Sequence, residues 1–420
     1  MEHIEDAVSK STDKGKKKKN DGANNQKWAI LSISSIPLVM TLGNSMLIPV
    51  LPAMEKELSI SSFQVSMIIT VYSIVAIFLI PIAGYLSDHI GRKKVIIPSL
   101  LIAGIGGIIS GWAAWKFKDP YWVILIGRAL QGVGAAGASP IVMPLVGDMF
   151  KNDDDVSSSL GLIETSNTFG KVLSPILGAL LAGIFWFLPF FSIPVFCAIS
   201  IILMLFLVKT PKKREKPIPF KQFFKKVKET FTQKGKWLYA IFAIGAILMF
   251  ALFGVLFYLS DVLEKTYHIK DIKKGLLLAV PLSALCASSF ITGKLIKENK
   301  KLMKWITFCG CALSSVAIII LSFSDKLWFL IVLFLFSGIG IGVALPCLDA
   351  LITEGIEKEE RGTISSIYSS MRFIGVAAGP PVVAVMLKQS DNMLFYLLSG
   401  LILLAALATL FAIKPGNVKS

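Results

Sequence analysis

Apolar runs about twenty residues long recur along the whole chain, and that is the length a helix needs to cross the hydrocarbon core of a bilayer. Twelve can be read, at roughly 28–52, 62–84, 95–115, 121–147, 158–183, 187–208, 238–260, 275–293, 303–323, 327–352, 363–387 and 393–413. Only 17% of the 420 residues are charged, against about a quarter in soluble domains. Two or three soluble cores could not hide so much apolar surface. A membrane barrel is excluded by the same pattern, because its strands alternate over about 10 residues. The expected fold is an all-α polytopic membrane protein.

Loop lengths divide the spans six and six. One connection, 209–237, is much longer than the rest. The domain reading is a basic disordered tail at 1–27, a six-helix half at 28–208, a linker at 209–237, a second half at 238–413 and a short tail at 414–420. Within the linker, Phe220, Phe223, Phe224, Val227 and Phe231 recur at helical spacing among Lys221, Lys225, Lys226 and Lys228. That pattern predicts an amphipathic helix on the membrane surface. Basic residues fix the orientation. Of the 43 Lys and Arg, 31 fall on the side of the termini and linker and 9 on the other, so both termini are expected in the cytoplasm of a cell-membrane protein. The +16 charge is then a topology signal and an attraction to anionic lipid, not a nucleic-acid surface.

The two halves also repeat. Shifted by 206, Gly132, Gly134 and Pro140 fall on Gly338, Gly340 and Pro346, and Asp148 falls on Glu354. Shifted by 205, Gly170 and Pro175 fall on Gly375 and Pro380. Duplicated halves with a site between them near the midplane are a transporter architecture. No zinc-hydrolase spacing, nucleophile elbow or phosphate loop is present, so neither an enzyme nor a cofactor is expected. Cys309 and Cys311 lack histidine or carboxylate company and read as small core residues, so no metal is expected either. Trp112, Trp115, Trp122 and Trp186 read as an interfacial belt.

Four segments carry a family likeness. They are GYLSDHIGRKK from Gly84, GRALQGVGAAG from Gly127, the spacing Gly161, Gly170, Pro175, Gly178 in span 5, and LGNSMLIPVLP from Leu42. Together they resemble the major facilitator superfamily, in particular its twelve-span drug:proton antiporter branch. Ser174 and Ala179 stand where that branch has glycines, small-for-small changes that keep the packing. The acidic-arginine signature of the sugar-uptake branch is missing from TPKKREK after span 6. The resemblance implies a rocker-switch carrier driven by an ion gradient.

It also implies roles. Gly84 and Gly91 permit a tight turn and close helix approach. Asp88 would face the N-terminus of span 11 as a latch between the halves, and Arg92 could pair with Asp148. Arg128 matches an arginine linked to proton coupling in relatives; a plainer reading ties it to span 1 through Asn44. Asn44 and Ser45 could also contact substrate. Gly161, Gly170, Pro175 and Gly178 make a smooth packing face.

Charges inside spans cost about 2.5–3.5 kcal/mol each at a helix centre. Arg128, Glu164, Lys171 and Arg372 lie inside, and Asp349 lies nearer the cytoplasmic end. They occupy spans 4, 5, 10 and 11, which the resemblance puts around the cavity. Glu164 and Lys171 are two turns apart on one face, and either could meet Arg372 or Asp349 across the cavity. Glu164 is the expected proton carrier, with Asp349 its rival; Lys171 is expected to meet an anionic group. The functional expectation is proton-coupled efflux of amphipathic compounds or drugs by a monomer. The alternative is a carrier for one metabolite or an anionic lipid headgroup.

Overall fold

The computed structural model describes residues 27–149, 153–208, 220–296, 299–356 and 358–413. The N-terminal tail up to 26, the first part of the linker and the C-terminal tail lie outside that set. Twelve long helical segments are described, and no strand is present among the described residues. They are α1 (Lys27–Glu57), α2 (Ser62–Ile90), α3 (Arg92–Lys116), α4 (Tyr121–Met149), α5 (Asp153–Ala182) and α6 (Leu188–Leu207). The second set is α7 (Phe220–Lys265), α8 (Asp271–Ile296), α9 (Lys300–Phe323), α10 (Leu327–Gly355), α11 (Lys358–Met386) and α12 (Asp391–Ala412). Eleven are apolar and long enough to cross a membrane. The other is α5, which carries the polar stretch Glu164-Thr-Ser-Asn-Thr168 and Lys171.

The linker reading meets one difference. The backbone is helical from Phe220 and runs without a break into span 7, giving a single helix of 46 residues. The side chains up to 234 lie outside the described residues. A second difference is at α8, which starts at Asp271, so Lys274 is inside the helix and not in a loop. A third is Cys309. Cys311 is buried but Cys309 is exposed, because residues two apart on a helix face different ways.

Within the first half, α4 packs on α2 and α3, and α3 packs on α6; in the second, α10 packs on α8 and α9, and α9 packs on α12. The halves meet along α2–α11 and α5–α8. Large apolar side chains such as Phe78, Trp122, Phe206, Phe323 and Trp328 stand outward, more than 70% exposed, as a lipid-facing surface requires. Trp112 and Trp115 are half exposed and pack on one another, whereas Trp186 is partly buried against Phe187.

Small residues set how closely the helices approach. In hydrocarbon no hydrophobic force draws helices together, so contact rests on close packing. A side chain at Gly132 would strike the Tyr72 carbonyl of α2, and one at Gly338 would strike the Pro281 carbonyl of α8. A Cβ on Gly170 would lie 3.3 Å from the Leu38 carbonyl of α1, and one on Gly375 would strike the Ala246 carbonyl of α7. Residues paired by the 206 and 205 shifts therefore do the same job in each half. Two lysines act alike as well. Lys93 at the start of α3 donates to the Leu205 and Val208 carbonyls ending α6, at 3.2 and 2.8 Å. Lys304 in α9 donates to the Leu410 carbonyl near the end of α12, at 2.7 Å. Cations there satisfy carbonyls that have no partner within their own helix.

The span 5 glycines are not equivalent. A Cβ on Gly178 would overlap the Met46 carbonyl of α1, but one on Gly161 would meet nothing within 4 Å. Gly161 does not share the expected packing face. Gly178→Val should lower the detergent-solubilised protein's stability by about 1–3 kcal/mol through overpacking. Gly161→Ala should leave the melting temperature unchanged or raised, since Ala favours helix. A thermal melt followed by size-exclusion fluorescence reads both.

Candidate functional site

Between α1, α5, α7 and α8 lies a narrow cleft. Its wall from α7 is Leu252, Phe253 and Leu256; from α8, Leu278 and Leu282; from α1, Ser45 and Ile48; from α5, Lys171 and Pro175. Lys171 is its one charged lining residue. Ser45 thus lines the cleft, but Asn44 does not, and its side-chain oxygen accepts from Arg128 at 2.8 Å.

Arg128 is fully buried. Its Nε donates to the Ile68 carbonyl at 2.8 Å and its Nη1 to the Gly43 carbonyl at 3.0 Å and to the Gln131 side chain. The Tyr72 ring lies under the guanidinium, 4.6 Å away. These partners are neutral and come from α1, α2 and α4 itself. The geometry matches the plainer reading, a guanidinium stitching three helices together, with desolvation offset by hydrogen bonds and the ring face.

The remaining intramembrane charges gather in one region. Lys171, Glu164, Asp349 and Arg372 are close enough to feel one another's charge, with Cys286 of α8 beside them. They are not equally committed. Arg372 of α11 donates to Asp349 of α10 at 3.3 Å and faces the Tyr368 ring. Glu164 accepts from the Asn167 amide at 3.3 Å, and Asn167 in turn accepts from Thr41 of α1 at 2.6 Å. Among the described residues, no ion pair within 4.0 Å involves Glu164 or Lys171. Sequence reasoning left open which carboxylate Arg372 meets; it is the one in its own half.

At the end of the bundle holding the linker, Gly91 links α2 to α3 with φ +104°, a conformation that favours glycine. Gly84 sits against Ser366 of α11, where a Cβ would lie 3.3 Å from its Oγ. One glycine serves the turn and the other serves close approach between the halves. Arg92 bridges Asp88 at 2.7 Å and Asp148 at 3.1 Å, binding α2, α3 and α4 together. Side chains at 357–362 and at Glu354 lie outside the described residues, and with them the point where Asp88 was expected to meet the start of α11.

The opposite end holds a feature that sequence reasoning missed. Lys265 of α7 pairs with Glu55 of α1 at 3.0 Å and with Asp261 at 2.8 Å. One turn away, Ser260 donates to the Ile48 carbonyl at 2.9 Å. That carbonyl is available because α1 breaks at Met46–Leu47 into a short 3₁₀ turn, Ile48–Val50, around Pro49 and Pro52. Close by, Lys274 is buried against Glu264 at 2.7 Å, and Gly275 lies on Pro175 and Ala179. Here the two halves are held together. In the sequence these residues look like ordinary loop-edge charges. No group of three His, Cys, Asp or Glu suited to a metal ion occurs among the described residues.

Comparison with known proteins adds four findings. The family model for the Major Facilitator Superfamily matches residues 33–380 and 303–419. A bacillibactin exporter of Bacillus subtilis is 57% identical over 385 residues, 91% of this chain and 96% of that protein. A class C tetracycline resistance protein of Escherichia coli is 25% identical over 380 residues, 87% and 91% of the two chains. Among solved structures, a D-xylose-proton symporter superposes with a TM-score of 0.77 at 15% identity, covering 94% of this chain and 99% of that one.

Because the Lys265 side chain is 43% exposed, its pair with Glu55 is worth no more than about 1 kcal/mol. Lys265→Met should therefore raise the population with this end open by at most about fivefold. Spin labels at Lys56 and Lys270 would report it as a longer, broader distance distribution. An unchanged distribution would leave closure to Ser260, Gly275 and their neighbours.

Proposed function

The chain belongs to the Major Facilitator Superfamily, and from that premise we propose that it exports bacillibactin or a close chemical relative in exchange for protons. It is a multi-pass membrane transporter, not an enzyme. The relative at 57% identity spans nearly the whole chain, so the cavity-forming helices correspond throughout. This favours the single-metabolite alternative over broad drug efflux. The relative at 25% identity and the apolar cleft wall support a second reading, export of assorted amphipathic compounds.

One observation carries the coupling. Arg372 is taken by Asp349, while among the described residues no cation lies within ion-pair range of Glu164, whose carboxylate accepts from the Asn167 amide. On that placement, in a helix that borders the cleft, the coupling proton is assigned to Glu164. Asp349, held by an arginine, is the weaker candidate. The end carrying Lys265 and Glu55 is assigned to the outside, because the basic residues crowd the other end. In the described arrangement the outer end is shut. Substrate enters from the cytoplasm, and the outer contacts break to release it. One chain is a complete transport unit, and the basic cytoplasmic edges lie against anionic lipid.

Glu164→Gln keeps the shape and removes the titration. In everted vesicles loaded with bacillibactin under a pH gradient, it should abolish uphill accumulation while leaving exchange of labelled for unlabelled substrate. Asp349→Asn should retain part of the accumulation. Full gradient-driven accumulation by Glu164→Gln would eliminate the assignment and pass it to Asp349.

A further inference from the structure

The carboxylate assigned to the proton does not stand alone on α5. Asn167 lies one turn on from Glu164, and its amide nitrogen faces both carboxylate oxygens, at 3.3 and 3.5 Å. The other side of the amide is held from a second helix. The Thr41 hydroxyl of α1 donates to the Asn167 side-chain oxygen at 2.6 Å. Close packing fixes the distance between the two helices here. A Cβ on Gly170 would lie 3.3 Å from that of Thr41, and one on Gly178 would overlap the Met46 carbonyl. The three side chains therefore form a short chain of hydrogen bonds from α1 to the carboxylate.

The chemistry of these groups gives the amide a direction. An ionised carboxylate only accepts, so it takes the amide NH₂, and the amide oxygen is left to take the Thr41 proton. A protonated carboxyl carries an O–H and can donate it to the amide oxygen. The amide then turns over, and its NH₂ meets the Thr41 oxygen, which can accept as well as donate. Each arrangement keeps both hydrogen bonds, but they are not equal for the carboxyl, because a donor aimed at a carboxylate favours its ionised form. Resting on the assignment of the proton to Glu164, we propose that Asn167, aligned by Thr41, is a positioning residue that sets how readily Glu164 takes its proton and passes its protonation state to α1. Other titratable groups also act on Glu164: Lys171 of its own helix, Asp349 of α10, Arg372 and Tyr368 of α11 and Cys286 of α8. The amide is neutral and in direct contact, so it can be removed without altering any charge.

Infrared difference spectra of the full-length protein in nanodiscs test this without requiring transport. The carboxyl C=O band that Glu164→Gln removes reports protonated Glu164, and its growth with falling pH gives a midpoint. Asn167→Leu deletes the donor and should move that midpoint up by about one pH unit, a roughly tenfold gain in proton affinity. Thr41→Val keeps the shape but frees the amide to turn, and should move the midpoint the same way. Thr41→Ser should keep the wild-type value. If Asn167→Leu does not give folded protein, Asn167→Ala carries the same comparison. A midpoint unmoved by loss of the amide or by Thr41→Val, whatever the melting temperature, makes the contact structural and overturns the proposal. A wild-type protein with no such band at any pH overturns the proton assignment itself, and the proposal with it.

Discussion

A charge placed inside a bilayer must find a partner, and that requirement sorts the intramembrane residues of this transporter by what they can do. Arg128 is surrounded by carbonyls, amides and a ring, and so serves the framework. Arg372 and Asp349 satisfy one another across α10 and α11. Glu164 and Lys171 are left with capacity to spare in a helix that borders the cleft. Transport needs such residues, because a group already matched in every state has nothing to exchange with a proton or a ligand. Much of the account rests on α5, which carries the polar stretch from Glu164 to Thr168 and pairs with α8 across the two halves.

Two helix pairs, α2–α11 and α5–α8, hold the halves together. Gly84 against Ser366, Gly275 against Pro175 and Thr70 donating to the Ala377 carbonyl are contacts of backbone with backbone or with short side chains. At the end holding Lys265 and Glu55, the contacts include one partly exposed ion pair and one hydroxyl on a freed carbonyl. Reversible gates need contacts of this size, since an interface of core strength would hold a single state.

Much of this was legible in the sequence because its causes are local and periodic. Runs of twenty apolar residues can do little else but span, and the internal shift of 206 located Gly132 and Gly338 before any packing was known. The Arg92–Asp148 pair and the Asn44–Arg128 contact also followed from motif and spacing. What could not be read depends on which faces meet. Phe253, Leu256 and Leu282 line the cleft, yet as letters they match the leucines buried in the core. Lys265 and Glu55 are 210 residues apart and lie at span edges, where charges are common, so nothing marked them as a pair. Gly161 fitted a motif spacing but faces open space, because spacing cannot say whether a neighbour is there.

The central claim is that substrate and proton cross by the same protein in opposite directions, and opposed fluxes through the purified chain test it most directly. Proteoliposomes containing a trapped pH indicator and no imposed gradient would receive bacillibactin on one side. The account predicts that the substrate's downhill entry drives protons out, with the two fluxes in fixed ratio and both absent from liposomes without protein. Substrate entry with no accompanying proton movement, or protons moving in the same direction as substrate, would contradict it.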